Sequence, residues 1–261
     1  MTWQIHPEPD DAVLRKALSE QRLWSAYAIN DLQPPFRERS TFHYATQGKQ
    51  WAIVLDYRTT TFSGLLPFGN PEGVAALLEA QIDSLPRSCI IPTDSAVMQE
   101  VLGRWYTFSK QEPMYRMVAS RDHFHHYESG VTCDELGPAS IGEISAFYTL
   151  NNVPTFSPDQ VHNGVYAGVR RHGILVAVGG THFVDAADKL AAVGNVYTDA
   201  MLRGNGYVRT IISWLTQAVL ERGCDDVVLS VHQNDFGAQQ MYEPLGFKHV
   251  ISFWETAARK R

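Results

Sequence analysis

The stretch Asn195-Val-Tyr-Thr-Asp-Ala-Met-Leu-Arg203-Gly-Asn-Gly206-Tyr-Val-Arg209 decides how this chain is interpreted. Its pattern is typical of a β-strand, a glycine-containing turn and the first turn of a helix. Gly204 and Gly206 let a ligand come close to the backbone, because neither carries a Cβ atom. The helix that follows offers unpaired N–H groups and the positive end of its dipole. The stretch therefore indicates a phosphate or pyrophosphate seat, although an ordinary strand-to-helix connection has the same pattern.

The residues after this stretch continue with alternating helix and strand patterns. Residues 207–222 place apolar side chains at helical spacing, and Gly223 suits the end of that helix. Val227-Val-Leu-Ser-Val231 is typical of a buried strand. A second motif then follows with fixed spacing and is formed by Ala238, Tyr242, Gly246 and Phe247.

Together the two motifs resemble the signature of the GCN5-related N-acetyltransferases, the GNAT superfamily. The family's loop motif is Arg/Gln-x-x-Gly-x-Gly/Ala, and Arg203, Gly206 and Val208 occupy it here. The family's second motif is Asn-x-x-Ala-x-x-x-Tyr-x-x-x-Gly-Phe, which the four residues named above match. The block around Val196-Tyr-Thr198 is most similar to the FR47-like branch, which includes the glycine N-acyltransferase-like proteins.

This resemblance implies that acetyl-CoA, or another acyl-CoA, is the co-substrate. Its pyrophosphate is expected on the loop residues Arg203, Gly204, Asn205, Gly206, Tyr207, Val208 and Arg209. Its pantetheine arm is expected to run beside Val196, Tyr197 and Thr198, with a bulge at Gly194 that opens the sheet. Asn234 and Asp235 are the remaining predicted cofactor contacts, and Asp235 stands where the family usually has Asn.

Acyl transfer from a thioester to an amine also needs proton transfers at the reacting atoms. The resemblance implies that Tyr242 lies near the cofactor sulfur, where a protonated phenol can donate to the departing thiolate. His182 is the first candidate for the base, because the pKa of an ordinary histidine suits proton acceptance near neutral pH. His232, Asp199 and a chain of water molecules are the alternatives.

Other kinds of site are disfavoured by the motifs that the sequence lacks. It has no Gly-x-x-x-x-Gly-Lys-Ser/Thr, and position 209 is Arg where a dinucleotide fingerprint has its third glycine, so a Rossmann enzyme is a weak alternative. The run His123-Phe-His125-His126 has no Cys or acidic partner at ligand spacing. It is interpreted as a solvated linker, and no metal is expected.

Composition narrows the choice of partners and compartment. The chain has 261 residues, 44% of them hydrophobic and 19% charged, with a net charge of −6. This balance predicts packed domains and no nucleic-acid partner. The three cysteines are read as free thiols, and no apolar run reaches the ~18 residues of a membrane span. A soluble, cytoplasmic protein without membrane contact, monomeric or homodimeric, is expected.

The order of elements suggests that the chain is built from two structural repeats. The fold class expected is α/β (α+β), with two GNAT-like domains in tandem, each a mixed, mostly antiparallel sheet flanked by helices. Gly69-Asn-Pro-Glu-Gly73 occupies the place of the glycine turn in the first repeat, which lacks both motifs. Residues 1–125 are therefore predicted to be a degenerate copy, and residues 126–261 the catalytic domain.

The function expected is an acyl-CoA-dependent N-acyltransferase that acetylates the amine of a small molecule or amino acid. A CoA-binding regulatory or scaffold protein without turnover is one alternative. A protein N-acetyltransferase is another, because an acidic surface would suit basic peptides, but a net charge of −6 is too small to decide.

Overall fold

The computed structural model describes residues 2–153 and 156–261. Its internal contacts divide the chain into two compact units. The first unit contains the residues up to Tyr115, His232–Asn234 and Ile251–Arg261, and the second contains Arg116–Val231 and Asp235–Val250. The division into domains 1–125 and 126–261 stays a proposal about which segments fold and function separately.

The described residues form helices and strands throughout the chain. The helices are α1 (Asp11–Ser19), α2 (Ala26–Asn30), α3 (Pro71–Gln81), α4 (Ala96–Leu102), α5 (Ile141–Leu150), α6 (Asp159–Asn163), α7 (Tyr207–Glu221) and α8 (Phe236–Tyr242). The strands are β1 (Gln4–His6), β2 (Ser40–Gln47), β3 (Gln50–Arg58), β4 (Ser63–Gly69), β5 (Ser88–Thr93), β6 (Tyr106–Ser120), β7 (Asp134–Glu135), β8 (Tyr166–Arg171), β9 (Ile174–Asp185), β10 (Leu190–Thr198), β11 (Asp226–His232) and β12 (Lys248–Lys260). Short 3-10 turns lie at Phe36–Arg39, Pro138–Ser140, Ala200–Leu202 and Glu243–Leu245.

The first unit is built on a mixed sheet with the order β1-β2-β3-β4-β5-β12-β6. β1 to β4 pair antiparallel, and β4 then pairs parallel with β5 after the chain has passed through α3. Apolar side chains of α3, among them Leu77 and Leu78, are fully buried in the core of this unit together with Leu65 and Ile91. The predicted layered sheet with flanking helices is confirmed here.

The second unit repeats this arrangement with the order β6-β11-β10-β9-β8-β7. β7 to β10 pair antiparallel, and β10 then pairs parallel with β11 after the chain has passed through α7. The sequence pattern on either side of Arg171-His-Gly173 predicts a hairpin, and the antiparallel β8–β9 pair confirms it. In both units, therefore, the two parallel strands are joined by a helix, as the predicted repeat requires.

Several strands extend beyond their predicted lengths or pair in an unexpected place. β2 is not predicted by the sequence pattern, because Ser40-Thr-Phe-His-Tyr-Ala-Thr-Gln47 contains few apolar residues. The sequence pattern predicts a strand over residues 247–254. The observed β12 continues to Lys260 and pairs antiparallel with β5, from Trp254–Thr93 to Arg259–Ser88. Its alternation of side chains predicts a strand but carries no information about the partner.

The helices of the described residues show no sign of a membrane-spanning segment. None of them is both long enough and apolar enough to cross a bilayer.

Candidate active site

The turn between β10 and α7 has the open geometry that its glycines allow. Gly204 has a φ of +82° and Gly206 a φ of +75°, which are left-handed values that favour glycine. A Cβ atom built at Gly204 would meet nothing within 4 Å, and one at Gly206 would meet only the Tyr127 hydroxyl at 3.8 Å. The backbone of this turn is therefore accessible to a ligand.

The first turn of α7 begins directly after these glycines. Gly206 is the residue that caps the helix, and it supplies no side-chain hydrogen bond. The ladder of the helix begins with the bond from Thr210 N–H to Gly206 C=O, at 3.0 Å. The N–H groups of Tyr207, Val208 and Arg209 precede this bond and are the orphan donors of the helix. With the helix dipole they form an anion-binding end.

β10 separates from its parallel neighbour after Ala192, over the last six residues of the strand. The parallel register between β10 and β11 runs from Leu190–Asp226 to Ala192–Val228, and within the described chain it ends there. On its other edge β10 pairs with β9 with a shift between Gly194 and Tyr197, where β10 carries one more residue than β9. Asn195, within the shift, has a φ of +52°. The predicted bulge at Gly194 is confirmed, and it coincides with the opening of the sheet.

The three predicted strand contacts of the cofactor have different surroundings. The methyl groups of Val196 point toward Gly179 of β9, while the ring of Tyr197 packs against Phe147 of α5 at 6.2 Å. Thr198 is 5% exposed, and among the described residues its Oγ1 has no hydrogen-bond partner. A buried hydroxyl without a partner is costly unless a ligand or water meets it.

Two arginines of the turn stack on tyrosines. Arg203 donates to the Tyr197 hydroxyl at 2.9 Å, and its guanidinium lies 5.3 Å from the ring centroid. Arg209 lies 4.2 Å from the centroid of Tyr127. Tyr127 directly follows the run His123-Phe-His125-His126, and its N–H donates to Ser213 Oγ of α7 at 2.8 Å. No local motif links Tyr127 to the turn, so this contact was not predictable from the sequence.

His182 lies beside the bulge, on β9. It is the extra residue of that strand, between the Phe183–Ala192 and Thr181–Val193 pairs. Its Nε2 occupies the space that a Cβ atom at Gly194 would need. Burial, and secondarily the charge of Arg116, lower the pKa of His182 to about 4. This differs from the expected ordinary pKa: the imidazole is neutral at neutral pH but is a weaker base.

Tyr242 is the last residue of α8 and lies half-buried against Phe247, with ring centroids 6.0 Å apart. Burial, together with the nearby Asp235 carboxylate, raises the pKa of Tyr242 to about 12. Asp235 caps α8, and its Oδ1 accepts from Ala238 N–H at 2.9 Å. The phenol therefore keeps its proton at neutral pH, and the acidic residue that replaces the family's Asn has a structural partner.

The remaining candidates have different surroundings. Asn234 is exposed and belongs to the first unit, so its contact with the cofactor stays a prediction. Asp199 accepts from Met201 N–H at 2.9 Å and caps the short turn that follows β10. His232, also in the first unit, lies 3.8 Å from Glu112. In residues 2–153 and 156–261 no three His, Cys, Asp or Glu side chains are arranged to hold a metal ion.

Comparison with known proteins agrees with this geometry. Residues 143–247 match the sequence profile of the Acetyltransferase (GNAT) family. No curated protein matches the chain.

Solved structures similar in fold cover nearly the whole chain. A GCN5-related N-acetyltransferase from Kribbella flavida has a TM-score of 0.60 and 17% identity, over 95% of each chain. A GNAT-family acetyltransferase from Colwellia psychrerythraea has a TM-score of 0.60 and 13% identity, over 98% of this chain and 99% of its own. A tandem GNAT protein from the clavulanic acid biosynthesis pathway has a TM-score of 0.59 and 10% identity, over 99% of this chain and 98% of its own.

At these identities the solved structures show the shared fold, and the sequence profile identifies the family of residues 143–247. The FR47-like branch stays a prediction. Residues 143–247 carry an Acetyltransferase (GNAT) family domain.

Proposed function

We propose that this enzyme transfers an acetyl group from acetyl-CoA to the amine of a small molecule or amino acid. The observation that carries the proposal is the open turn at Gly204 and Gly206, placed where β10 separates from β11. A strand edge without its parallel neighbour offers peptide groups to an extended ligand, and the helix start beside it offers donors to a phosphate.

The residues of this region fit acetyl-CoA in three ways. The amides of Tyr207, Val208 and Arg209 would hold the pyrophosphate, since they are the orphan donors of α7. The peptide groups of residues 196–198 would pair with the amides of the pantetheine arm. The buried Thr198 hydroxyl would gain a partner that the described residues do not give it.

Acetyl-CoA would supply the acetyl group as a thioester, and the side chains near it would move the protons. Tyr242, with its pKa raised to about 12, would donate its phenolic proton to the sulfur that leaves. His182 Nε2, or a water molecule, would accept the proton that the attacking amine loses. One proton is given and one is taken, so the protein returns to its starting state by proton exchange with water.

The proposal of a small acceptor is supported by the packing beside the bulge. Tyr148 donates to the Asn195 carbonyl at 2.6 Å, and Tyr166 lies within 3.2 Å of the Asn195 side-chain amide. Phe156 packs against both of these tyrosines. These rings form a packed cluster on the α5 side of β10, so a polypeptide would find no open groove on that side. The three free cysteines support the cytoplasm as the compartment.

Calorimetry with acetyl-CoA, followed by activity on a panel of amines and amino acids, tests the proposal. One acetyl-CoA site per chain and turnover of a small amine are expected. Binding without turnover of any small amine or basic peptide would favour the regulatory alternative. Turnover of peptides alone would favour a protein N-acetyltransferase, and a second CoA site would contradict the predicted degeneracy of residues 1–125.

A further inference from the structure

The proposed function assigns the groups that meet acetyl-CoA, but it does not assign the groups that hold the bulge of β10 in place. We infer that Tyr148, Gln160 and Asn195 are positioning residues, which fix the direction of the peptide groups of residues 196–198. This inference rests on the proposed function, because it takes those peptide groups to pair with the pantetheine arm.

Asn195 has a backbone conformation that residues with a Cβ atom rarely adopt. Its φ is +52°, in the left-handed region, and it lies within the shift where β10 carries one more residue than β9. Asparagine tolerates this region better than most residues, but the conformation still costs free energy. A return to extended backbone would turn the peptide groups that follow. The bulge therefore needs support from neighbouring elements.

Three neighbouring elements hold the main chain and the side chain of Asn195. Tyr148, on α5, donates its hydroxyl proton to the Asn195 carbonyl at 2.6 Å. The Nδ2 group of Asn195 donates to Gln160 Oε1 of α6 at 3.1 Å and to the Tyr166 hydroxyl of β8 at 3.2 Å. Bonds from α5, α6 and β8 therefore converge on one residue of the bulge.

Gln160 is the centre of this network. Besides Asn195, its Oε1 accepts from the Tyr166 hydroxyl and from Ser157 N–H, both at 3.1 Å. Three donors on one oxygen fix the orientation of the Gln160 side chain. Tyr148 and Tyr166 are each 1% exposed. Water cannot easily replace a hydrogen bond at such buried hydroxyls, so breaking the network is costly.

The place of the bulge makes its geometry important for the reaction. Residues 196–198 directly follow Asn195 and lie beyond the last β10–β11 pair, Ala192–Val228. A thioester that pairs with them must be aligned with the attacking amine, and a small misplacement lowers the rate of the chemical step. The pyrophosphate would lie on the turn before α7, away from Asn195. The network should therefore affect kcat more than the affinity for acetyl-CoA.

Gln160→Met and Gln160→Glu test the network as a matched pair. Methionine has a similar length but no strong acceptor, so kcat should fall roughly tenfold or more while the Kd of acetyl-CoA changes by less than about threefold. Glutamate keeps an acceptor for the three donors and should retain most of kcat. Tyr148→Phe removes one hydroxyl and should repeat the methionine result. Gln217→Met, on the exposed face of α7, is the control and should change neither quantity.

Asn195→Gly and Asn195→Ala separate a positioning role from ordinary packing. Glycine adopts a positive φ without strain and keeps the carbonyl that Tyr148 binds, so it should retain more kcat than alanine. Packing alone predicts the reverse order, because glycine removes more of the side chain. Backbone chemical shifts of residues 194–198 in the free protein are a second readout. They should move further in the alanine variant than in the glycine variant, and further in Gln160→Met than in Gln160→Glu.

The outcomes distinguish this inference from the proposed function. Wild-type kcat in both Gln160→Met and Tyr148→Phe, or a larger loss of kcat in Asn195→Gly than in Asn195→Ala, would overturn the inference alone. A wild-type protein that binds no acetyl-CoA, or that acetylates no amine, would overturn both. If Gln160→Met does not fold, Tyr148→Phe and the Asn195 pair decide, because the first of these removes a single oxygen atom.

Discussion

The N-termini of α3 and α7 occupy equivalent places in the two units, but their N–H groups have different partners. Each follows a strand and a glycine with positive φ, +79° at Gly69 and +75° at Gly206. At α3 the side chain of Asn70 accepts from the N–H groups of Glu72 and Gly73, at 2.9 and 3.4 Å. At α7 the capping residue is glycine and offers no side chain. One helix start is satisfied by its own sequence, and the other keeps its donors for a ligand.

The turn before α3 is crowded by other residues, whereas the turn before α7 is open. A Cβ atom at Gly73 would lie 2.6 Å from Ala52 Cβ and from the Trp3 ring, and one at Gly69 would overlap the Trp51 backbone. At Gly204 the same atom would be in open space. In the first unit the glycines allow the protein to pack against itself, and in the second they leave room for another molecule. A repeated topology therefore does not imply a repeated binding site.

The largest effect is expected from Tyr242→Phe, which tests whether the second unit is catalytic as well as open. Loss of a positioned general acid should lower kcat by ~10²-fold or more, with kcat/KM falling in parallel. Acetyl-CoA affinity should change little, because the ring and its packing on Phe247 remain. Steady-state kinetics under conditions where chemistry limits the rate provide the measurement. Tyr106→Phe, in the first unit, is the matched control. More than half of the wild-type kcat in the Tyr242 variant would remove this residue from the mechanism.

The openness of the α7 turn is tested by Gly206→Leu. Bulk at this position, together with the strain of a positive φ, should weaken acetyl-CoA binding by well over tenfold, more than ~1.4 kcal/mol. Gly223→Leu is the control for strain alone, because Gly223 also has a positive φ, of +97°, at the other end of α7. Calorimetry should show the loss only in the Gly206 variant. Equal affinity in the two folded variants would place the pyrophosphate elsewhere.

The satisfied start of α3 is tested by Asn70→Ala. Removing the cap should lower the free energy of unfolding by about 1 kcal/mol, the usual scale for such a residue. Acetyl-CoA affinity should not change, because α3 uses its donors internally. Urea unfolding and calorimetry measure the two quantities. A changed affinity with unchanged stability would mean that the start of α3 also meets the cofactor.

The two turns also show which parts of the fold could be predicted from the sequence alone. α3, α7 and the β8–β9 hairpin were predictable, because apolar spacing, Asn70-Pro71 and the glycines are local signals. The bulge at Gly194 was predictable only with the resemblance, which implies that the pantetheine arm runs beside the residues that follow it.

Long-range features were not predictable from local signals. The pairing of β12 with β5 joins segments more than a hundred residues apart. The contact of Tyr127 with Arg209 and the low pKa of His182 depend on which segments pack together. Periodicity specifies which face of a helix or strand is buried, but it does not specify which other segment packs against that face.

The smallest effect is expected from a comparison of two histidines, one in each unit. Burial lowers the pKa of His43 in the first unit and of His182 in the second, the latter to about 4 from an ordinary 6.5. Between these two values the unfolded chain binds a proton at position 182 that the folded chain does not. Stability is therefore full above pH 6.5 and falls as the pH drops toward 4.

His182→Gln should remove this loss. The free energy of unfolding of the variant should therefore fall less between pH 7.5 and pH 5 than that of the wild type. Urea unfolding at the two pH values measures the shift, and His43→Gln should behave in the same direction.

The two variants should differ in turnover. With a pKa of about 4, His182 is a weak base, so its loss should lower kcat by less than the ~10²-fold of a well-matched base. His43→Gln should leave kcat unchanged. Wild-type turnover in both variants would assign proton acceptance to water and leave His182 with a structural role beside Gly194.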